Sequence, residues 1–311
     1  MLPTLKPHAL RPGDGIRVLS LASPVQEDHL EIGCAELVRL GYVPHMDLAQ
    51  LLARDGFFAG SAADRLSALK GAFAETSTRA IFCSRGGYGC NYLLEGLTAA
   101  PPVPKIVLGS SDITSLQIYL WQKFRWVTFY GPMVASNFDR GAGKPHGYDQ
   151  ESFAPALTET KQGWHLELDG EPIAPGRGTG VLLGGCLTLV ESTLGTPWEL
   201  DTRGAILILE DRGMKPYQVD RAFMHLRQAG KFQGVAGIVL GDFPECDAPV
   251  GSESVLDVAL RILAPLNVPV VWGAPIGHTS RAMLTLPLGI RAELAATGPG
   301  VLHILEPACA P

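Results

Sequence analysis

Ser111 is the first candidate for chemistry, because it lies where a strand is predicted to end and a helix to begin. The segment IVLGSSDIT at 106–114 runs from apolar residues through Gly109 into this turn. A serine there projects its hydroxyl from the carboxyl edge of a sheet, and the N–H groups that follow favour negative charge. The segment resembles a nucleophile elbow, although Ile113 replaces the second Gly of G-x-S-x-G. An ordinary N-cap serine, with Asp112 in the first helical turn, explains the same residues equally well.

Two neighbouring serines, Ser110 and Ser115, offer rival hydroxyls in the same segment. If Ser111 occupies the apex of the turn, Ser110 points away from the site. Ser115 falls inside the predicted helix.

A glycine-rich loop follows another predicted strand in CSRGGYGCNYLL at 83–94. Such a loop can expose backbone N–H groups in a concave nest. The nest could cradle a phosphate, but the pattern is not GxGxxG and no Lys stands in the Walker position, which disfavours nucleotide binding. It could instead supply half of an oxyanion hole, or it could be a tight turn that simply needs Gly.

A carboxylate and a histidine end two further strands. Glu210 and Asp211 follow the apolar run LIL, and either could orient a histidine. His278 lies in the Gly/Pro loop of VWGAPIGHTS at 271–280, a typical location for a catalytic histidine. The other histidines lie in polar, helical or terminal contexts, and none has a metal-ligand spacing such as HExxH. These histidines are His8, His29, His45, His146, His165, His225 and His303.

Together these segments supply a nucleophile, a base, an orienting carboxylate and a donor loop, which is the set that acyl transfer requires. The elements that must position them alternate between short apolar strands and helical patterns in the first half of the chain. This alternation predicts an α/β fold with a mostly parallel sheet. The second half is predicted to be β-rich, with one helix at 216–230 that begins with Pro and ends with Gly.

The length of 311 residues favours two domains. Composition shifts to Gly, Pro, Lys and Asp between the two halves. We therefore predict an N-terminal domain at 1–140, a linker at 141–178 and a C-terminal domain at 179–311.

Bulk composition restricts the possible partners. The net charge is -6 and no basic block is present, so nucleic acid is an unexpected partner. No apolar run reaches the ~20 residues that span a bilayer, and the first residues lack a signal-peptide core. None of the six cysteines forms a CxxC pair, which disfavours zinc and disulfides and predicts buried, reduced thiols in a cytoplasmic protein.

The order of the motifs resembles that of the LD-carboxypeptidases, also called muramoyltetrapeptide carboxypeptidases, with microcin C self-immunity peptidases as relatives. The resemblance rests on RGGYG at 85–89, GSSD at 109–112, LED at 209–211 and GAPIGH at 273–278, and it extends over nearly the whole chain. It implies a Rossmann-like N-terminal domain and a smaller, mainly β C-terminal domain. It also implies a homodimer that uses no metal or organic cofactor.

Carried over residue by residue, the resemblance implies a triad of Ser111, Glu210 and His278. The oxyanion donors are then the backbone N–H groups of Asp112 and Gly87. A carboxypeptidase must also bind a free carboxylate, and Arg85 beside the Gly loop is our candidate, with Gly86 and Tyr88 as further substrate contacts. Arg85 could equally serve only to brace the loop.

The implied activity is hydrolysis before a C-terminal D-amino acid, such as the D-alanine of a murein tetrapeptide. The rival with the same chemistry is cleavage of a microcin-type aminoacyl-nucleotide, and the rivals of other classes are a two-domain binding module and a phosphate-binding enzyme. Tyr130 and Cys186 depart from the family pattern, which often has His and Asn there. We expect these departures to affect substrate preference more than reaction type.

Overall fold

The computed structural model describes residues 3–99, 103–160, 163–249 and 251–311. The chain divides into two compact units. Unit 1 comprises Met1–Thr160, Arg281–Pro287 and Ala308–Pro311, and unit 2 comprises Lys161–Ser280 and Leu288–Pro307.

Unit 1 is built on a six-stranded sheet whose first five strands run parallel. Numbered along the chain, its strands are β1 Gly15–Leu19, β2 Val43–His45, β3 Thr78–Cys83, β4 Ile106–Gly109, β5 Thr128–Tyr130 and β12 Leu286–Leu288. The parallel strands follow the order β2-β1-β3-β4-β5, and β12 lies at the edge beyond β5. Helices connect the strands, so β3 and β4 are buried almost throughout and read as continuous apolar runs.

The strand order reverses direction between β1 and β3. In doubly wound sheets, ligands bind at the carboxyl ends of the strands at such a switch point. The glycine-rich loop follows β3 directly, and the loop carrying Ser23 follows β1. The two loops are joined by a hydrogen bond from Ser23 N–H to Gly86 O (3.2 Å).

Six α-helices are formed by the described residues of unit 1. They are α1 Glu27–Arg39, α2 Leu48–Leu51, α3 Ala62–Ala74, α4 Asn91–Leu94, α5 Thr114–Phe124 and α6 Gln150–Thr158. Side chains fix where several begin: Ser61 accepts from Asp64 N–H before α3, and Asp149 accepts from Ser152 N–H before α6.

Unit 2 contains a mixed eight-stranded sheet in the order β6-β14-β13-β8-β9-β10-β11-β7. Its strands are β6 Trp164–Glu167, β7 Glu171–Ala174, β8 Gly176–Cys186, β9 Ala205–Glu210, β10 Gly237–Gly241, β11 Val270–Ala274, β13 Arg291–Ala296 and β14 Val301–Ile304. The central strands β8 to β11 are parallel, and the remaining pairs are antiparallel. Its helices are α7 Leu187–Glu191, α8 Pro216–Gln228 and α9 Val255–Ile262.

The predicted fold class is confirmed: unit 1 is an α/β unit with a mostly parallel sheet, and unit 2 is rich in strands. Helix α8 begins at Pro216, as its sequence predicts, and buries Val219, Phe223 and Leu226 on one side.

The domain boundaries differ from those expected. The segment 141–178, predicted as a linker, contains α6 in unit 1 and the edge strands β6 and β7 in unit 2. Edge strands pair on one side only. Here they lie among Gly, Pro and charged residues, so the composition of the segment indicated a linker rather than strands. Residues 281–287, expected in the C-terminal domain, belong to unit 1 because β12 extends the first sheet.

Two further properties concern the membrane-spanning potential of the helices and the state of the cysteines. Across the described residues, no helix is both long and apolar enough to cross a membrane. The six cysteines are free thiols, and each is buried.

Lys105 is a buried cation that joins α3 to β3. Its ammonium group donates to Ala72 O (2.7 Å), to Glu75 O and to Thr78 Oγ1 (3.1 Å), and the residue is only 5% exposed. These bonds hold the carboxyl end of α3, where the last carbonyl groups lack helical partners.

We predict that Lys105→Met lowers the free energy of unfolding by about 2–4 kcal/mol, because it leaves buried carbonyl groups without a donor. Urea denaturation measures the loss. Lys70→Met changes an exposed residue of α3, the helix that Lys105 holds. This control should change stability by no more than about 0.5 kcal/mol. Equal stability of the two variants would contradict the assigned role of Lys105.

Candidate active site

Ser111 stands at the carboxyl end of β4 in a strained conformation. Its φ is +59°, in the left-handed region that non-glycine residues seldom adopt. A short 3₁₀ turn, Ser111–Ile113, leads directly into α5. Ser111 is half-buried, whereas the rival hydroxyl residues Ser110 and Ser115 are 3% and 0% exposed. The strand–turn–helix junction of a nucleophile elbow is therefore present at this serine.

Buried polar side chains hold this turn. The Tyr130 hydroxyl accepts a hydrogen bond from Ser111 N–H (3.1 Å). Gln117 Nε2 donates to Gly109 O (2.9 Å) and to Phe129 O (2.8 Å), which joins the ends of β4 and β5. Tyr130, noted in the sequence as a departure from the family pattern, thus contacts the backbone of the candidate nucleophile.

The glycine-rich loop packs against Ser111. A Cβ atom on Gly86 would lie 2.7 Å from Ser111 Cβ and 3.5 Å from Asp112 N, so only glycine permits this approach. Within the described part of the chain, the N–H groups of Gly87 and Asp112 have no hydrogen-bond acceptor. Both N–H groups can therefore donate to a ligand, as oxyanion donors do.

Arg85 and Tyr88 lie on the exposed side of this loop. Arg85 Nη1 donates to Pro24 O (3.2 Å), so the side chain braces the neighbouring loop. That single neutral partner leaves further guanidinium donors for a carboxylate. Tyr88 N–H donates to Ser23 Oγ (3.2 Å), and its ring contacts the rings of Phe57, Phe58 and Tyr92.

Asp112 is buried and bonded to the same loop. Its Oδ2 accepts from Cys90 N–H (2.7 Å), and the residue is 1% exposed. Burial raises the pKa of Asp112 to about 6, while the Cys90 N–H and the charge of Arg65 oppose the rise. A carboxyl group with this pKa is mostly, but not fully, ionised at pH 7.

Unit 2 carries a histidine bonded to a buried carboxylate. Glu210, the last residue of β9, has a fully buried side chain. Its Oε2 accepts from both His278 N–H and His278 Nδ1, each at 2.8 Å. An ionised carboxylate can only accept, so Nδ1 carries the proton and Nε2 is left as the basic nitrogen. This is the orientation that a general base requires.

The two adjacent carboxylates, which sequence alone left as alternatives, have different partners. Asp211 Oδ2 accepts from Thr188 N–H (2.9 Å) and Thr188 Oγ1 (2.7 Å), and it lies 3.5 Å from Cys186 Sγ. Asp211 therefore anchors the start of α7, and Glu210 holds the histidine. Cys186, the second departure from the family pattern, pairs with Glu210 across β8 and β9.

The electrostatic environment raises the pKa of His278 above its ordinary value of 6.5. Burial lowers it, but the charge of Glu210, the Glu210 hydrogen bond and the charge of Asp211 outweigh that effect. Glu210 thus stabilises the imidazolium form that a general base becomes.

Among the described residues, no group of three or more His, Cys, Asp or Glu side chains is placed to hold a metal ion. Among the remaining histidines, His29 and His225 bond to the carboxylates of Asp139 and Glu191.

Two family models match the sequence at the segments that carry these side chains. Residues 16–131 match the LD-carboxypeptidase N-terminal domain, and residues 179–294 match the LD-carboxypeptidase C-terminal domain. The chain belongs to the LD-carboxypeptidase family. It is therefore a peptidase, and the resemblance inferred from its motifs is confirmed.

Individual relatives agree with this assignment. The chain is 35% identical over 295 residues to a probable murein peptide carboxypeptidase of Bacillus subtilis, covering 93% of this chain and 91% of that protein. Its structure is similar to that of a muramoyltetrapeptide carboxypeptidase from Oxalobacter formigenes, with a TM-score of 0.78, 26% identity and coverage of 93% and 97%. It also shares its fold with MccF in complex with glutamyl sulfamoyl guanosine, with a TM-score of 0.86, 24% identity and coverage of 98% and 100%.

Several residues that shape the site were missed in the sequence. Gln117 and Arg65 lie on helices, where a polar residue ordinarily indicates solvent exposure, and both are buried. Their partners are backbone carbonyl groups, which no residue pattern identifies. Only the apolar neighbours on both sides of Gln117 could have signalled a helix that is buried all round.

We predict that Gly86→Ala lowers peptidase activity by roughly 10²-fold or more, because the new Cβ must displace Ser111 or the loop. Gly71→Ala is the matched control. Gly71 lies in α3 with no atom within 4 Å of its would-be Cβ, so this variant should keep full activity and gain about 0.5–1 kcal/mol of stability. Full activity in Gly86→Ala would show that the close approach has no role in catalysis.

Proposed function

We propose that this protein is a serine carboxypeptidase that hydrolyses the L,D-peptide bond before a C-terminal D-amino acid, with the D-alanine of murein tetrapeptides as the released group. The observation that carries the proposal is the buried Glu210 carboxylate, which fixes the Nδ1–H tautomer of His278. A carboxylate-oriented imidazole in a peptidase family, together with a serine on a strained strand–helix turn, supports a serine mechanism.

In the proposed reaction, His278 Nε2 removes the proton of Ser111 Oγ, and Ser111 attacks the carbonyl carbon before the terminal residue. The N–H groups of Asp112 and Gly87 donate to the oxyanion, and Glu210 stabilises the imidazolium. His278 then protonates the departing amine, and the D-amino acid leaves. Water, activated by the same imidazole, hydrolyses the ester and restores Ser111. The loss of one oxyanion donor in such a site costs roughly 3 kcal/mol of barrier.

The names of the relatives support a murein peptide substrate. A carboxypeptidase must distinguish a chain end from an internal peptide bond, which requires a cation for the terminal carboxylate. Arg85 supplies an exposed guanidinium beside the Gly loop, and we propose that it binds this carboxylate, with Gly86 and Tyr88 as neighbouring contacts. Peptidoglycan recycling in the cytoplasm, by a homodimer, is the biological setting that we propose from the family resemblance.

A second candidate has the same chemistry on a different substrate. The shared fold with MccF, solved with glutamyl sulfamoyl guanosine, favours an aminoacyl-nucleotide as this alternative. Parallel assays with a murein tetrapeptide and an aminoacyl sulfamoyl nucleotide, each followed by mass spectrometry, separate the two. Cleavage of the nucleotide conjugate alone would overturn the murein assignment.

We predict that Ser111→Ala reduces D-alanine release from a murein tetrapeptide to background, because the acyl-enzyme cannot form. A fluorophosphonate probe should label the wild-type protein and leave Ser111→Ala unlabelled. Ser110→Ala and Ser115→Ala remove the rival hydroxyls and should remain labelled. Residual turnover in Ser111→Ala would rule out this serine as the nucleophile.

The raised pKa of His278 predicts the pH dependence. The base must be neutral to accept a proton, so kcat/KM should fall as pH decreases through a value above 6.5. Glu210→Gln removes the charge that raises this pKa, so the acid limb should move to lower pH. The plateau should decrease by roughly 10²–10⁴-fold, because the imidazolium loses its stabilising carboxylate. An acid limb that stays in place in Glu210→Gln would contradict this coupling.

A further inference from the structure

The peptide group between Gly89 and Cys90 is held at both ends by opposite charges. Arg65 Nη1 donates to Gly89 O at 2.8 Å. On the other side, Cys90 N–H donates to Asp112 Oδ2 at 2.7 Å. The oxygen end of this peptide dipole therefore faces a cation, and its N–H end faces an anion. Both hydrogen bonds are charge-assisted, which makes them about twice as strong as neutral ones.

Arg65 is itself fixed in place. It is 1% exposed, and it also donates to Leu21 O (2.7 Å) and Gly60 O (3.3 Å). Its guanidinium carbon lies 5.0 Å from the centre of the Phe58 ring, a cation–π distance. A side chain with this many buried partners cannot move away without leaving a charge and several carbonyl groups unsatisfied.

Glycine at position 89 makes this contact possible. A Cβ there would lie 2.6 Å from Arg65 Nη1, and the φ of Gly89 is +140°. Rotation of the peptide group by half a turn would direct Gly89 O at the Asp112 carboxylate and Cys90 N–H at the guanidinium. Both new contacts are repulsive, so the two charges together specify one orientation of the peptide.

The held peptide is connected to both residues whose N–H groups are assigned above as oxyanion donors. Gly87 is two residues before it in the loop, and Asp112 contributes both the anchoring carboxylate and the second donor. A shift of this peptide would therefore move Gly87 relative to Asp112. Oxyanion stabilisation depends on donors placed about 2.7–3.1 Å from the developing charge, so a small shift is costly.

We propose that Arg65 and the Asp112 side chain are positioning residues that hold the two oxyanion donors at their working separation through the Gly89–Cys90 peptide. The proposal rests on the proposed function, because that function assigns the donors. Neither side chain needs to contact the substrate to act in this way.

A double-mutant cycle in the full-length protein tests the proposal. Arg65→Met should lower kcat for D-alanine release by roughly 10²-fold, with KM changed by no more than about threefold. Asp112→Asn keeps an oxygen for Cys90 N–H but loses the charge, and it should lower kcat by roughly 10-fold. Since both side chains hold one peptide, the double variant should lose about 10²-fold rather than the 10³-fold expected of independent sites.

Lys105→Met is the matched control, since it also removes a buried cation bonded to backbone oxygens in unit 1, but the partners of Lys105 are Ala72, Glu75 and Thr78, which lie outside the Gly loop. Even if Lys105→Met loses as much thermal stability as Arg65→Met, it should keep the wild-type kcat. If Arg65→Met keeps its kcat as Lys105→Met does, or if the double-mutant losses multiply, the proposal is wrong. Should Arg65→Met fail to fold, Arg65→Lys completes the same cycle, because an ammonium group cannot reproduce the guanidinium fork.

The rate of fluorophosphonate labelling separates this proposal from the substrate assignment. Ser111 Oγ displaces fluoride from phosphorus, and the phosphoryl oxygen takes the place of the oxyanion. Slower labelling in Arg65→Met and Asp112→Asn, but not in Lys105→Met, supports the proposal even if the wild type does not cleave the tetrapeptide. If the wild type does cleave the tetrapeptide, and if both variants keep its labelling rate and its kcat, the positioning role is overturned and the substrate assignment stands.

Discussion

The left-handed backbone at Ser111 is the constraint on which the proposed nucleophile depends. A non-glycine residue with φ near +60° costs roughly 1–3 kcal/mol, so the surrounding structure must hold it. The Tyr130 hydroxyl takes the Ser111 N–H, Gln117 ties together the strand ends beside it, and Gly86 packs against its Cβ. The strain is therefore offset by contacts from β5, α5 and the loop after β3. The ends of these short, buried parallel strands thus hold Ser111 in its turn.

The corresponding constraint in unit 2 is a carboxylate with no exposed surface. An ionised group in that environment is tolerated only if donors surround it, and His278 supplies two donors from one residue, its backbone N–H and its Nδ1–H. The backbone bond fixes the loop, and the ring bond fixes the tautomer. The two hydrogen bonds that stabilise the buried Glu210 carboxylate are thus the same ones that orient the histidine. The rise in the pKa of His278 is its electrostatic consequence.

The sequence predicted the fold class and placed the candidate residues at strand ends, because buried parallel strands such as β4 and β9 are continuous apolar runs followed by the functional side chain. It did not decide between Glu210 and Asp211. That choice depends on which of two successive side chains faces the His278 loop and which faces Thr188, and both residues lie at the carboxyl end of the same strand. It also missed β6 and β7, whose pairing partners β14 and β11 lie far away in the chain. A polar, glycine-rich segment becomes an edge strand only when such a partner is present.

The determinants that the motifs did not reveal share one property: their partners are backbone atoms. Arg65 bonds to three carbonyl groups, Gln117 to two, and Tyr130 to an N–H group, whereas the motif residues were recognisable because side-chain chemistry demands particular residue types. A carbonyl group is present at every position, so a bond to it leaves no signature at the accepting residue. Only glycine is an exception. Its missing Cβ at positions 86 and 89 marks the places where another group must come close. Two glycines of RGGYG are thus needed because Ser111 and Arg65 approach the loop closely. They are the one feature of the sequence that indicates the geometry around the candidate oxyanion donors.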